Sequence, residues 1–329
     1  MDKQKILSVS VACFNLKDMI ETNIKSFCES SVADDVELII TDDGSTDNTL
    51  EYAEKWEKQY PNVIKLIRKK NEGPGSTVNS GIKHATGKYF RMVDGDDWVN
   101  SKNLELFIEF LRGCDSDLVI SDYDIYDNEK KKIIETKTCS LPPFNQFHVD
   151  KAYLNIPFEM HSLTFKTSIL KENEISLDNC FYTDVEYTLF PMKYVNTLSY
   201  FNKTIYIYRV AQATQSVNPN SMKKNVAQHE LVLNHVIEDF IVNKKNMSIG
   251  QKTFIAKRIA SMCDVQLTTY LYFEPTKEQK RLVKDFINSI KQYPEIYSEF
   301  KKGKKFKLLK WSNFVLFSFV RKIVLKKIA

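Results

Sequence analysis

The 329-residue chain is poor in residues that make cross-links, linkers and membrane spans. Its six cysteines stand at 13, 28, 114, 139, 180 and 263. No two are closer than fifteen positions, so no Cys-x-x-Cys pair offers a zinc site or a redox dithiol. Scattered through apolar runs, they read as small buried hydrophobes. Glycine and proline number nine each, too few for long flexible linkers. No apolar run approaches the roughly 18 residues that a bilayer-spanning helix needs. The charged start, Met1 to Lys5, runs straight into a strand-like segment without a secretory signal, so the expected location is the reducing cytoplasm. Acidic residues are missing from one region altogether. Residues 301–329 hold ten Lys or Arg and no Asp or Glu, which leaves 37 basic against 42 acidic side chains in residues 1–300. The net charge of +5 is thus a mildly acidic body with a basic tail.

What is present alternates between strand and helix signals. Residues 6–14, 36–41, 63–67, 89–93 and 118–120 read as buried strands. Between them, residues 17–29, about 48–59, 77–85 and 103–111 carry helical spacing, the first through Met19, Ile20, Ile24 and Phe27. Single helices between strands favour an α/β fold with a mostly parallel, helix-flanked, Rossmann-like sheet. Ligands of such sheets collect at the carboxyl ends of the strands. Chemistry is therefore expected just after residues 14, 41, 67 and 93. Residues 130–210 are mixed, with a helix expected at 185–194 and a strand at 205–208. After residue 220 the pattern is helical, over 226–242, 253–272 and 277–293.

Two acidic constellations stand at these strand ends. Asp42-Asp43-Gly44-Ser45-Thr46-Asp47 follows Ile39-Ile40, where Asp42 or Asp43 can accept hydrogen bonds from a ribose hydroxyl or a base N–H and Asp47 reads as a turn or capping residue. Asp94-Gly95-Asp96-Asp97 follows the strand ending at Val93. Three carboxylates within four residues repel one another and suit a hard divalent cation such as Mg²⁺ or Mn²⁺, with diphosphate oxygens completing the shell. Between them runs Asn71-Glu72-Gly73-Pro74-Gly75-Ser76-Thr77-Val78-Asn79-Ser80-Gly81, a loop entering a helix. It lacks both the dinucleotide and the P-loop glycine fingerprints.

Val9-Ser10-Val11-Ala12, the segment from Asp42 to Thr49, the loop into Asn79-x-Gly81, Ala85-Thr86-Gly87-Lys88-Tyr89 and the segment from Asp94 to Trp98 occur in the order seen in family 2 glycosyltransferases. The chain resembles that family clearly over residues 6–125 and more weakly to about 215. The resemblance implies a GT-A fold and inverting transfer from a nucleotide-diphospho sugar, commonly a UDP-sugar, with the help of Mn²⁺ or Mg²⁺. It implies that Ala12, Phe14, Asn15, Asn71, Gly73, Asn79 and Gly95 line the nucleotide-sugar pocket and that Asp42 or Asp43 contacts uracil or ribose. It assigns Asp96 as principal metal ligand, Asp94 to ribose, diphosphate or metal, and Asp97 as a further candidate ligand. Where the family commonly has Ala-Arg-Asn-x-Gly, this chain has Thr77-Val78-Asn79-Ser80-Gly81, so Lys69, Lys70 or Arg91 would have to replace the absent Arg. The acidic pair that family members place downstream corresponds here to Thr183-Asp184, leaving Asp184 as the candidate base with Glu186 as the lesser one. Tyr206-Ile207-Tyr208-Arg209 followed by Gln215-Ser216-Val217 resembles the family's strand and loop over the active site. Arg209 and His161 are candidate diphosphate or acceptor contacts, and His229 a candidate metal neighbour.

The expected organisation is a glycosyltransferase domain over 1–215, a helical domain over 216–300 and a basic amphipathic tail over 301–329. Within the first, residues 1–125 would bind the nucleotide sugar and residues 126–215 the acceptor. The tail's lysines beside Trp311, Phe314, Phe317 and Phe319 suit an anionic membrane surface, which would hold the enzyme at the inner face of the cell membrane. Packing on the body, or a contact between copies in a homo-oligomer, is the alternative. Nucleic acid is disfavoured by the acidic body. The acceptor expected is a hydroxyl of a lipid-linked saccharide or cell-surface glycan precursor. Two rival functions are a nucleotidyltransferase making nucleotide sugars, for which residues 9–15 lack glycine and basic residues, and a non-catalytic nucleotide-sugar-binding scaffold.

Overall fold

A computed structural model describes residues 4–157, 159–211 and 219–326. The chain divides into two compact units, Met1–Ala213 and Thr214–Ala329. In the first, β1 (Leu7–Cys13), α1 (Ile20–Cys28), β2 (Val36–Asp42), α2 (Thr49–Gln59), β3 (Ile64–Arg68), α3 (Pro74–His84) and β4 (Tyr89–Asp94) follow one another. The four strands pair in the order β3-β2-β1-β4, all parallel. Strand β1 is buried along nearly its whole length. Both of its faces therefore need helices over them, which the β-α-β connections provide.

Then come β5 (Trp98–Val99), α4 (Ser101–Gly113), β6 (Leu118–Asp127), β7 (Lys132–Lys137), β8 (Gln146–His148), α5 (Val149–Ala152), β9 (Leu163–Lys166), α6 (Thr167–Glu172), α7 (Thr183–Leu189) and β10 (Thr197–Val210). Helix α4 starts where the Asn100 side chain accepts from the Asn103 N–H. It buries Leu104, Phe107, Ile108 and Leu111, one helical stripe worth about 1.5–3 kcal/mol per side chain. The four-residue β9 runs antiparallel to both β4 and β6, and beyond it β6 and β10 pair parallel. The sheet is thus parallel on one side and mixed on the other.

Three elements differ most in extent from the sequence reading. Strand β6 continues past residue 120 because its polar residues are satisfied inside the sheet: Asp122 accepts from the Tyr200 hydroxyl at 2.6 Å, and Asp124 from Thr136 Oγ1 at 2.6 Å. Strand β10, paired along β6, begins well before 205 and ends at Val210. Helix α7 stops at Leu189, and Pro191, which has no N–H to continue the ladder, opens a 3₁₀ turn over Pro191–Tyr194. Gln215, Ser216 and Val217 lie outside the described residues.

The second unit contains α8 (Pro219–Lys224), α9 (Val226–Asn243), α10 (Ile249–Leu271), α11 (Lys277–Ile290), α12 (Pro294–Phe300), α13 (Lys304–Trp311) and α14 (Phe317–Lys326). Ser248 and Gln251 form a reciprocal capping box at the start of α10. The basic segment packs into this unit: Phe306, Leu309, Phe314, Phe317, Val320 and Val324 are buried. Lys305 pairs with Asp264 at 2.6 Å and Arg321 with Glu274 at 2.5 Å. Among the described residues no helix is long and apolar enough to cross a membrane.

Helix α3 enters tightly beneath the segment that leads to α7. A Cβ on Gly75 would lie 1.9 Å from the Asp178 carbonyl oxygen, a backbone atom that cannot swing aside. Gly75→Ala should therefore cost about 1–3 kcal/mol in thermal or urea unfolding. Gly113→Ala, whose Cβ would meet nothing within 4 Å, should be neutral or stabilising. Equal effects of the two would contradict the tight approach of α3.

Candidate active site

Register aligns the strand ends that carry the acidic motifs. Ala12 stands opposite Asp94, Cys13 opposite Asp42, and Asp42 opposite Arg68. Beyond this edge lies an open cleft of about 440 Å³. Of the expected nucleotide-sugar residues, Ala12, Phe14, Asp43, Asn71, Gly73, Asp94 and Gly95 line it, together with Asp96. Cys13, Leu16, Pro74, Thr77 and Phe181 complete the wall. Cys13 falls within the 12–15 segment expected at the pocket, whereas Leu16, Pro74, Thr77 and Phe181 were not assigned in the sequence.

Asp42, Asn15 and Asn79 shape the cleft from behind it. Asp42, buried, accepts from the Ser45 N–H at 3.2 Å. Asn15, at φ 54°, accepts from the Thr46 N–H at 2.8 Å, and its own N–H donates to Ser45 Oγ. Asn79 exchanges two 2.8 Å bonds with the backbone of Leu177, tying α3 to the approach to α7. Asp43 works on both sides: it lines the cleft while its carboxylate accepts from the N–H groups of Glu72 and Gly73 at 3.0 and 2.9 Å. Asp47 accepts from the Thr49 N–H at 3.0 Å, the turn role read from sequence.

The candidates for replacing the absent Arg separate. Lys69 sits 3.4 Å from Asp43 and 2.8 Å from Glu72, beside the cleft. Lys70 is exposed. Arg91 is a core residue that does not line the cleft: wholly buried, it donates to Thr164 Oγ1 at 2.7 Å, to Ser121 Oγ at 3.2 Å and to the His161 carbonyl.

The second acidic motif forms a tight turn held from outside. Asp97 is buried, and its carboxylate accepts from the Tyr206 hydroxyl at 2.6 Å and from the Arg209 N–H at 2.7 Å. The Arg209 guanidinium lies 4.6 Å over the Trp98 ring and donates to the Asp96 carbonyl at 2.8 Å. Arg209 thus clamps the turn that presents Asp94 and Asp96. Burial pushes the Asp94 carboxyl up to about 8, and the charges of Asp96 and Asp184 add to the shift. Burial, then Asp96 and Asp94, likewise raise Asp97 well above the carboxylate range.

His161 is half-buried beside this turn, stacked on Tyr208 at 4.3 Å and edge-on to Tyr206 at 4.7 Å. Burial, then the Arg91 charge, hold it down to about 3, so it is neutral at ordinary pH. Its Nδ1 has no hydrogen-bond partner. Ligand atoms of Asp94, Asp97 and His161 lie within 4.8 Å of one another. The carboxylate oxygens of this turn are donors that suit a hard divalent cation. Tyr206 and Tyr208 were legible only as members of a strand; their spacing of two in β10 puts both on one face, toward the turn.

Asp184, half-buried, stands in the first turn of α7, near enough for its charge to act on Asp94 and Tyr208. Glu186 faces elsewhere: it is buried, accepts from the Asp178 N–H at 2.6 Å, and burial pushes it up to about 8. His229 belongs to the second unit, where it is buried with Nδ1 2.5 Å from Gln266 Oε1.

Residues 8–173 match the family described as Glycosyl transferase family 2. The cholesterol galactosyltransferase of Borreliella burgdorferi is 24% identical over 88% of this chain and 86% of its own length. The poly(ribitol-phosphate) beta-glucosyltransferase of Bacillus spizizenii is 31% identical over 52% of this chain, but only 26% of that protein is covered. The structure of S. aureus TarS 1–349 in complex with UDP-GlcNAc superimposes with a TM-score of 0.66 over 98% of this chain and 92% of that one, at 18% identity, a likeness of fold. The parallel β3-β2-β1-β4 edge, the acidic turns at its strand ends and this match over half the chain together make the protein a glycosyltransferase of family 2 with the GT-A fold.

Proposed function

We propose that the chain is an inverting, divalent-cation-dependent glycosyltransferase that moves a sugar from a UDP-sugar to a hydroxyl of a lipid-linked saccharide or cell-surface glycan precursor. The observation that carries this reading is that Asp94 and Asp96 line the cleft while Asp184 stands close enough for its charge, like that of Asp96, to raise Asp94. The UDP-GlcNAc bound by S. aureus TarS supports a UDP-sugar donor. The sterol and ribitol-phosphate polymer named for the two relatives support an acceptor of the cell surface.

In this reading Ala12, Phe14 and Asp43 receive the nucleoside, and Asn71 and Gly73 border the donor from the loop that enters α3. Asp96 and Asp94 would hold the cation, which when bound supplies positive charge against the diphosphate. Asp97, its carboxylate occupied by Tyr206 and Arg209, keeps the turn in shape. Asp184 takes the proton from the acceptor hydroxyl as its oxygen attacks the anomeric carbon. The bond to the diphosphate oxygen breaks on the opposite face, its electron pair leaves with UDP, and the anomeric configuration inverts.

Asp184→Asn should lower transfer by about 10²–10⁴-fold while UDP affinity, read by calorimetry, stays near wild type. Wild-type turnover would remove Asp184 as base. Asp96→Ala should abolish the stimulation of UDP release by Mn²⁺ or Mg²⁺, and a retained metal response would refute the ligand role. The raised Asp94 carboxyl also carries a pH signature. Between its unfolded pKa near 3.8 and about 8 the folded state binds the extra proton, so metal-free stability should fall as pH rises through that window. Divalent cation should reverse the fall in melting temperature, and Asp94→Asn should lessen it, leaving the part that Asp97 and Glu186 contribute. A metal-free melting temperature that rises from pH 5 to 8, with no response to cation, would contradict the cluster.

A further inference from the structure

The basic segment uses only one of its faces in the helical unit. Phe306, Leu309, Phe314, Phe317, Val320 and Val324 are turned inward. Trp311 is 83% and Val315 81% exposed at the turn between α13 and α14, and Phe319 and Ile323, one helical turn apart on α14, are exposed as well. Within the segment itself the charge has one sign, although Arg321 and Lys305 pair with Glu274 and Asp264. No acidic residue occurs from 301 to 329, while Lys304, Lys307, Lys310, Lys322 and Lys326 are exposed. A second observation extends the patch beyond the tail. Lys284 of α11 lies 5.1 Å over the Phe314 ring. Partial burial and the charges of Lys291 and Lys284 hold Lys310 below the ordinary lysine range. Three ammonium groups from two segments distant in sequence are thus crowded together beside an exposed Trp.

We propose that the outer surface of α13 and α14, with Lys284 and Lys291, docks on an anionic lipid bilayer. Trp311, Val315, Phe319 and Ile323 would enter the acyl boundary, and the lysines would lie at the level of the headgroup phosphates. Charge complementarity selects this occupant. A crowded set of lysines is relieved by phosphate, and a large apolar side chain at an exposed turn is relieved by hydrocarbon, but only a lipid surface offers both together. The surface is a folded one, because the inward face of the same helices is core. Membrane contact therefore requires no unfolding of the segment, and it is independent of the catalytic reading.

The test uses the full chain with vesicles of phosphatidylcholine alone or mixed with phosphatidylglycerol. Wild type should sediment with the anionic vesicles only, and Trp311 fluorescence should be quenched by brominated acyl chains. Trp311→Ser with Phe319→Ser should abolish the quenching, and Lys291→Gln with Lys310→Gln should weaken binding roughly tenfold or more. All four positions are exposed, and an unchanged circular-dichroism melt checks that the variants fold. Failure of wild type to sediment, or binding indifferent to both pairs, would overturn the proposal. Displacement by inorganic phosphate at matched ionic strength would assign the lysines to a free anion instead and also overturn it. So would a concentration-dependent dimer that the Trp311/Phe319 pair abolishes, which would make this face a contact between copies.

Discussion

The repulsion among Asp94, Asp96 and Asp97 is the constraint on which the rest of the site depends. Three carboxylates in four residues cannot be gathered at a buried strand end without compensation. The fold compensates one of them internally: Asp97 receives the Tyr206 hydroxyl and the Arg209 N–H. The other two are presented at the cleft, where Asp184 adds a further negative charge. In the proposed reading a cation and a diphosphate would complete the compensation. The long strand β10 is what makes it constructible, since it carries Tyr206, Tyr208 and Arg209 to the same turn. His161, unpaired at Nδ1 and neutral, fills the space beneath without adding charge.

The approach of α3 is the second supporting element. Gly73 receives its fixed place from Asp43, Gly75 permits contact with the Asp178 backbone, and Asn79 ties the helix to Leu177. A single helix thereby connects the side of the cleft lined by Asp43 and Asn71 to the segment that leads to Asp184. Disturbing α3 should consequently be felt in both donor binding and transfer.

Much of this was legible in the sequence because parallel β-α-β units write a strong pattern: buried strands, single helices, and acidic turns at the strand ends. The strand-end rule located Asp43, Asp94 and Asp96 at the cleft without any knowledge of tertiary contacts. It could not separate residues that line the cleft from residues that hold its loops. Asp42 and Asp43 are adjacent and chemically identical, yet only Asp43 lines the cleft. Strand β9 was missed because four residues are too short for a periodicity, and the ends of β6 because buried Asp122 and Asp124 look like loop until their hydroxyl partners are known. Arg91 looked available as a cation near the donor, but β4 is buried on both faces from Tyr89 to Val93, which leaves Arg91 in the core. The Ala85–Tyr89 motif proved architectural: Gly87 donates to Ser8 Oγ at 2.8 Å and Tyr89 to the Ser116 carbonyl at 2.9 Å, around the start of β4 and away from the acidic turn at its end.

The basic segment shows the same limit in another form. Its charge and aromatic content were plain in the sequence, but not which side chains would be spent on packing. Half of its apolar residues became core, and the rest stand outside beside lysines that α11 contributes. For the catalytic centre, the most direct measurement is anomalous scattering from crystals grown with UDP and Mn²⁺. The expected result is a manganese peak joined to the carboxylates of Asp96 and Asp94 and to the diphosphate, with Asp97 still bonded to Tyr206. UDP bound in the cleft with no manganese beside these aspartates, or manganese held elsewhere on the chain, would contradict it.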